Sequence, residues 1–495
     1  MTGAARSEQD ADGAPVEGRL PPSSLRTSRG RWSDADDAPV EGRPPRGAAG
    51  RGCARRRVLA APLALGAGAL GACAAPGAAD ETGKAALRTN VTVQVMTELT
   101  AEEQPVFEAM VERWRAAHPA GPTLQPLIGA AADSRPERLR TLLAAGTPPD
   151  VAALEAGEAL PFTDQGQFLA LDPYIKRDRY DLADFFEPAI TQYQWKGKKY
   201  GLPRGMSNQS LYVNQNLFDD GGLRYPPTKL DAPGWDFDEF LKAADRLTKR
   251  EGSAITQFGC TVGRALRGGY GQWVWTNGAE FFDKDFTRCT LDDPRAIEGL
   301  QFMQDLIYRH RLAPTPQEEM AAGGAEAMFI AGGRVAMRIA PVAQVTRHRR
   351  ATFRWDYAVN PRGKGKRLTS GGGVAWLIVA ESRQPEEAWA VFQHLVSPET
   401  AKQLATVYYP GRRSAVQHLQ TVDSDLPPKS RHVGADGQTV IHVNPIFPAW
   451  QEIERDLVLP ELNALWRNER TAQQVIAALV PKVNDFLRTK GPAPK

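Results

Sequence analysis

The feature that most constrains the fold is a hydrophobic period that switches between two and 3.6 and then repeats the switch. The stretch "VTVQVM", residues 91–96, alternates apolar and polar residues, which predicts a strand with one buried face. The following "PVFEAMVERWRAAHP" places Val106, Phe107, Met110, Val111 and Trp114 on one face of a helix that Pro119 ends. A helix over 136–145 and a short buried strand over 150–154 repeat the unit. Alternation of this kind predicts an α/β fold with a largely parallel sheet. Further along, the pattern predicts helices over 237–250, 294–310 and 472–487 and a buried strand over 373–380. It also predicts a helix pair broken at Ser397-Pro398.

The chain upstream of this alternation reads as a leader. Residues 58–72 carry no charge but fall short of the ~18–20 apolar residues that a bilayer core requires. Gly66, Gly68 and Gly71 have the spacing of a dinucleotide loop, yet no strand leads into them and Ala-Ala-Pro-Gly follows where a helix should open. A basic stretch (Arg55-Arg56-Arg57), an apolar run and a small-residue ending instead make an export signal. Leu70-Gly71-Ala72-Cys73 resembles a bacterial lipobox, with Cys73 the lipidated residue, and Arg55 to Leu59 resembles a twin-arginine motif. Residues 1–57 are expected to be a disordered leader and basic n-region; they lack apolar periodicity and repeat "APVEGR" at 14–19 and 38–43. Residues 1–72 are therefore set aside from the fold, and 73–87 read as a linker.

A net charge of +3 does not suggest a nucleic-acid partner held by phosphate neutralisation. The basic runs at 347–350 and 362–367 lack interleaved aromatics for stacking on bases. Of four cysteines, Cys53 and Cys73 belong to the leader and lipobox. Cys260 and Cys289 remain, either as a disulfide, which an exported protein permits, or as two buried thiols. No spacing of His, Cys, Asp or Glu matches a metal site, and no cofactor is expected.

A series of local phrases resembles the extracellular solute-binding proteins of ABC importers, in the large family that includes sugar-binding lipoproteins. "FEAMVERWRAAHP", "AAGTPPDVAALEA" and "GQFLALDPYI" come first. "WKGKKYGLPRGMSNQSLYVNQNLFDDGGL" is the most specific and resembles the family's first crossing between lobes. "GWDFDEFLKAADRLT", "WTNGAEFFDKD", "GGRVAMRIAP", "GGGVAWLIVAESRQPEEAWAVFQHLVSPETAKQLA" and "GRRSAV" follow in the family's order. The resemblance spans nearly all of the chain after Cys73. It implies a two-lobed α/β fold of the type II periplasmic-binding-protein kind, with a hinge between the lobes and a ligand cleft at their interface. One lobe would take residues 88–206 with 371–435, the other 207–370 with 436–490.

A sugar presents apolar C–H faces and a rim of hydroxyls, so its binder needs an aromatic platform and paired polar groups. "GGYGQWVWTNGAE" supplies both. If the start of that segment is helical, Tyr270, Trp273 and Asn277 share a face and Trp275 points into its own lobe. If it is irregular, either tryptophan could face the cleft; a third alternative puts both in the core. The resemblance adds Glu98 and Glu155 after the first two strands, Asn208 in the first crossing, Gly371-Gly372-Gly373 before the second, Arg412 and Trp450. One departure stands out: after "GGRVAM" the family commonly has Gly-x-Trp, whereas this chain has Arg338-Ile339-Ala340-Pro341-Val342. Arg204, Arg338 and Arg412, if convergent, would instead form a cationic site.

The resemblance implies a lipid-anchored extracytoplasmic protein that captures a carbohydrate-like small-molecule solute by lobe closure and delivers it to the transmembrane subunits of an ABC permease. It is expected to act as a monomer and to have no catalytic residues. The alternatives are a binder of an anionic solute such as a glycerophosphodiester, and a secreted glycosidase built on paired carboxylates.

Overall fold

The computed structural model describes residues 87–490, apart from 102, 130–134 and 423–424. The leader, the export signal over 58–72, Cys73 and the linker up to residue 86 lie outside the described residues.

The alternation is realised as β1 (Thr92–Glu98), α1 (Gln104–Ala117), β2 (Thr123–Gly129), α2 (Arg135–Ala144), β3 (Val151–Glu155) and α3 (Ala156–Asp164). β1 lies between β2 and β3 and runs parallel to both. No periodic run announces β2, because Pro126 interrupts it; the proline is tolerated because β2 is the outermost strand. After the small hairpin of β4 (Gln194–Trp195) and β5 (Lys198–Lys199) comes the longest strand, β6 (Gly201–Asn214). The remaining strands are β7 (Lys249–Glu251), β8 (Ala254–Cys260), β9 (Val335–Pro341), β10 (Trp355–Ala358), β11 (Thr369–Ile378) and β12 (Ile441–Val443).

Two strands carry the chain between the lobes. Up to Asn208, β6 pairs with β11; from Gln209 onward it pairs with β9, and from Leu211 also with β10. β11 returns, antiparallel to both β6 and β3, and its start is flanked by β12. The expected largely parallel sheet is therefore a mixed one. Parallel pairs are confined to β1–β3, β8–β9 and β11–β12, because a chain that crosses and comes back must reverse. The helix expected over 237–250 stops at Leu247, and the next residues turn into β7.

Strand alternation divides the first lobe's interior into two layers. Val93, Val95, Val151, Ala153, Trp376 and Ile378 face α1 and the helix Pro385–Leu395. Met96, Ala152, Leu154, Ala375 and Leu377 face α2 and α3. The second lobe has its own larger core, which includes Tyr212, Trp273, Met303 and Leu479, and which Val416 and Val433 also join. Cys260 and Cys289 are both buried free thiols, so the disulfide alternative is not the one adopted.

Candidate functional site

β1 and β3 end side by side, which brings Glu98 and Glu155 to one rim of the first lobe. α3 starts directly after Glu155, whose backbone N–H donates to Glu158 Oε2 at 2.8 Å. Arg135, at the start of α2, serves three carboxylates: Glu158 at 3.0 Å, Glu98 at 3.4 Å and Glu155 at 3.9 Å. Glu98 is only 7% exposed, and neither of its oxygens has a hydrogen-bond partner among the described residues. Burial pushes its carboxyl up to about 7, against the opposing pull of Arg135 and Arg204.

Between the lobes lies a narrow cavity, lined among others by Glu155, Gln192, Arg267, Gly372 and Asn444. A wider, open pocket adjoins it, lined among others by Trp275, Glu280, Phe281, Phe282 and His442. Both share the segment 443–446, so together they form one cleft with a charged deep end and an aromatic mouth. Asn444 stands where the two meet, and its Oδ1 has no partner among the described residues. Trp275 is tilted over His442, ring centres 4.4 Å apart, and edge-on to Phe281 at 5.4 Å; its Nε1 also lacks a partner among the described residues. His442 is held by Glu280 at 3.2 Å.

The glycine run of the second crossing has a packing cause. A Cβ on Gly373 would lie 2.0 Å from the carbonyl oxygen of Gly205, so β6 and β11 approach this closely only because Gly373 has none. All three glycines line the cavity, but a Cβ on Gly372 would meet a side chain, Arg267 Nη1, at 2.7 Å.

The structure brings Glu155, Gly371-Gly372-Gly373 and Trp275 to the cleft and sends Glu98, Asn208, Tyr270, Trp273, Asn277, Arg412 and Trp450 elsewhere. The segment around the tryptophans is helical only over Gly271–Thr276, after an irregular turn. Tyr270 and Asn277 flank it with helical backbone, so they share a face with Trp273, but that face is buried within the second lobe. The Tyr270 hydroxyl donates to Glu454 at 2.6 Å. Trp273 is core, packed against Phe237, Phe240 and Phe302. The Asn277 amide donates to the Arg295 carbonyl at 2.7 Å and accepts from the Lys364 N–H at 2.9 Å. Trp275, not Trp273, is the cleft tryptophan. Asn208 is fully buried, its amide donating to the Gly434 carbonyl at 2.8 Å. Trp450 packs edge-on against Phe281 and Phe282 behind the mouth.

The three arginines do not converge. Arg412 donates to Asp184, to the Tyr180 hydroxyl and to the Val396 carbonyl inside the first lobe. Arg204 bonds Thr97 and Tyr408, and Arg338 bonds Gln344 beside the fully buried His348. Each is committed to separate internal partners, which corrects the expectation of a cationic site built from them. Arg267, His442 and Asn444 were not foreseen. Their positions depend on the three-residue pairing of β12 with β11 and on contacts more than a hundred residues apart, which leave no periodic trace.

The family model for bacterial extracellular solute-binding proteins matches residues 100–402. A binding protein of Brucella abortus is 27% identical over 304 residues, 61% of this chain and 70% of that protein. An arabinooligosaccharide-binding protein of Halalkalibacterium halodurans is 27% identical over 222 residues, 44% of this chain and 45% of that protein. Among solved structures, the ABC substrate-binding protein of Listeria monocytogenes in complex with cycloalternan has the same fold. Its TM-score is 0.69 at 20% identity, covering 80% of this chain and 99% of that one.

Proposed function

The chain belongs to the family of bacterial extracellular solute-binding proteins, and from that premise we propose that it captures a carbohydrate-like solute between its lobes and delivers it to the membrane subunits of an ABC importer. The observation that carries this reading is the pairing of two chemistries along one cleft. Trp275, Phe281 and Phe282, though largely covered, form the apolar wall of the mouth for C–H faces, while Glu155, Gln192, Arg267 and Asn444 offer donors and acceptors to hydroxyls. The oligosaccharide named for the Halalkalibacterium relative is of the same class. In this proposal Glu155, Gly372 and Trp275 contact the solute. Asn208, Tyr270, Trp273, Asn277, Arg412 and Trp450 hold the walls in place, and Glu98 acts from behind Arg135.

The protein makes and breaks no bonds; solute shifts the population toward closed lobes, which turn about the points where β6 and β11 change partners. Those points lie near the proposed boundaries 206/207 and 370/371. Export through the twin-arginine-like signal and lipidation at Cys73 complete the proposal, holding a monomer at the outer face of the membrane.

A thermal-shift screen of the processed protein tests the solute class. Arabino- and malto-oligosaccharides are set beside glycerophosphodiesters and uronic acids. Saturable stabilisation by neutral oligosaccharides, about 2.7 kcal/mol at a hundredfold excess over Kd, is the expected result. Stabilisation by glycerophosphodiesters alone, or hydrolysis of any glycoside, replaces the reading. Intact-mass analysis of membrane-bound material tests the anchor: a diacylated N-terminal Cys73 is expected, and a retained leader overturns it.

A further inference from the structure

Both lobes and a hinge strand meet at one guanidinium. Arg267 belongs to the irregular turn before the helix Gly271–Thr276 of the second lobe. That turn is anchored on the crossing strands: the Gly268 N–H donates to Ser370 Oγ at 2.8 Å, and Gly268, at φ +71°, lies against the Gln209 side chain. From there Arg267 Nη2 crosses the cleft to Glu155 Oε2 at 2.6 Å, over the bare backbone of Gly372. Arg267 thus bridges from the second lobe to the carboxylate at the rim of the first.

We propose that Arg267 is the clasp of the cleft: its pairing with Glu155 of the opposite lobe holds the two lobes together. The proposal rests on the solute-capture reading for its purpose and adds a selectivity to it. A solute group reaching the deep end must satisfy both members of the Arg267–Glu155 pair. A hydroxyl does so, accepting from the guanidinium and donating to the carboxylate. An anion would answer Arg267 and leave Glu155 facing like charge; a cation would do the reverse.

Both side chains are roughly one-third exposed, 29% for Arg267 and 36% for Glu155, so either is replaceable without opening a core. The test is a double-mutant cycle on lobe closure without solute, read as the distance distribution between spin labels at Lys176→Cys and Lys242→Cys. Arg267→Gln and Glu155→Gln are each expected to lower the closed-to-open ratio by about two- to fivefold, the range for an ion pair open to solvent. The double variant should fall no lower than either single, and high salt should bring the wild type to the same level. Additive effects, or an unchanged ratio in the singles, overturn the clasp. If Arg267→Gln does not fold, Glu155→Gln and the salt dependence decide the matter between them. Because no solute is present, the result stands or falls separately from the carbohydrate reading.

Discussion

The two walls of the cleft are built from opposite chemistry. On the first lobe, carboxylates crowd the strand ends, but Arg135 is set among Glu98, Glu155 and Glu158, and of the three only Glu155 lines the cavity. On the second lobe, Trp275, Phe281, Phe282 and Phe286 line the open mouth with Trp450 packed behind them, and the indole N–H of Trp275 has no partner among the described residues. A carboxylate at the end of a strand is thus not a ligand contact by position alone. Whether it is free depends on what a helix elsewhere in the chain brings beside it. Aromatic residues keep their capacity for stacking even when largely covered, because one ring face is enough.

The comparison is broken most severely in the second wall's foundation. Trp273→Ala should cost about 3–5 kcal/mol of stability by leaving a core cavity, measured by denaturant unfolding. A cost no larger than that of an exposed substitution would mean Trp273 is not core. On the first wall, Arg135→Ala strands buried carboxylates and should cost about 3 kcal/mol at pH 8, and less at pH 5, where Glu98 is neutral. An equal cost at both pH values would disconnect Arg135 from Glu98.

Glu98→Gln sharpens the same wall by the opposite sign. Its folded carboxyl, pushed up to about 7 from an ordinary 4.5, holds a proton that the unfolded chain has already lost between those values. Its contribution is therefore favourable at acid pH and is lost as pH rises through that window. Glu98→Gln should leave stability unchanged below pH 4.5 and raise it above pH 7 by about 1–3 kcal/mol. A parallel pair of pH–stability curves would contradict the assignment.

Much of the fold was legible because β1 and α1 carry clear periods and β3 a short apolar run, and because the two crossings have distinctive phrases around Gly201–Asn214 and Thr369–Ile378. β2 was hidden by Pro126. The site was less legible, for a physical reason visible in two neighbouring tryptophans. Periodicity groups residues on a face but does not say which face looks outward. Trp273 and Trp275 sit two residues apart on a six-residue helix, and the one aligned with Tyr270 and Asn277 went to the core. Arg412 carried a motif match, yet Asp184 and Tyr180 had already claimed its guanidinium. Arg267 carried no signal, since its partner lies 112 residues away on the other lobe.

The central claim is that a neutral saccharide binds against Trp275 in this cleft. Titration calorimetry tests it most directly, using the oligosaccharide that stabilises the protein most and comparing the wild type with Trp275→Leu. The account predicts one binding site in the wild type and an affinity about tenfold lower in the variant, corresponding to the ~1.4 kcal/mol of one stacking contact, with the circular dichroism spectrum unchanged. Undiminished affinity in a folded Trp275→Leu protein would contradict it.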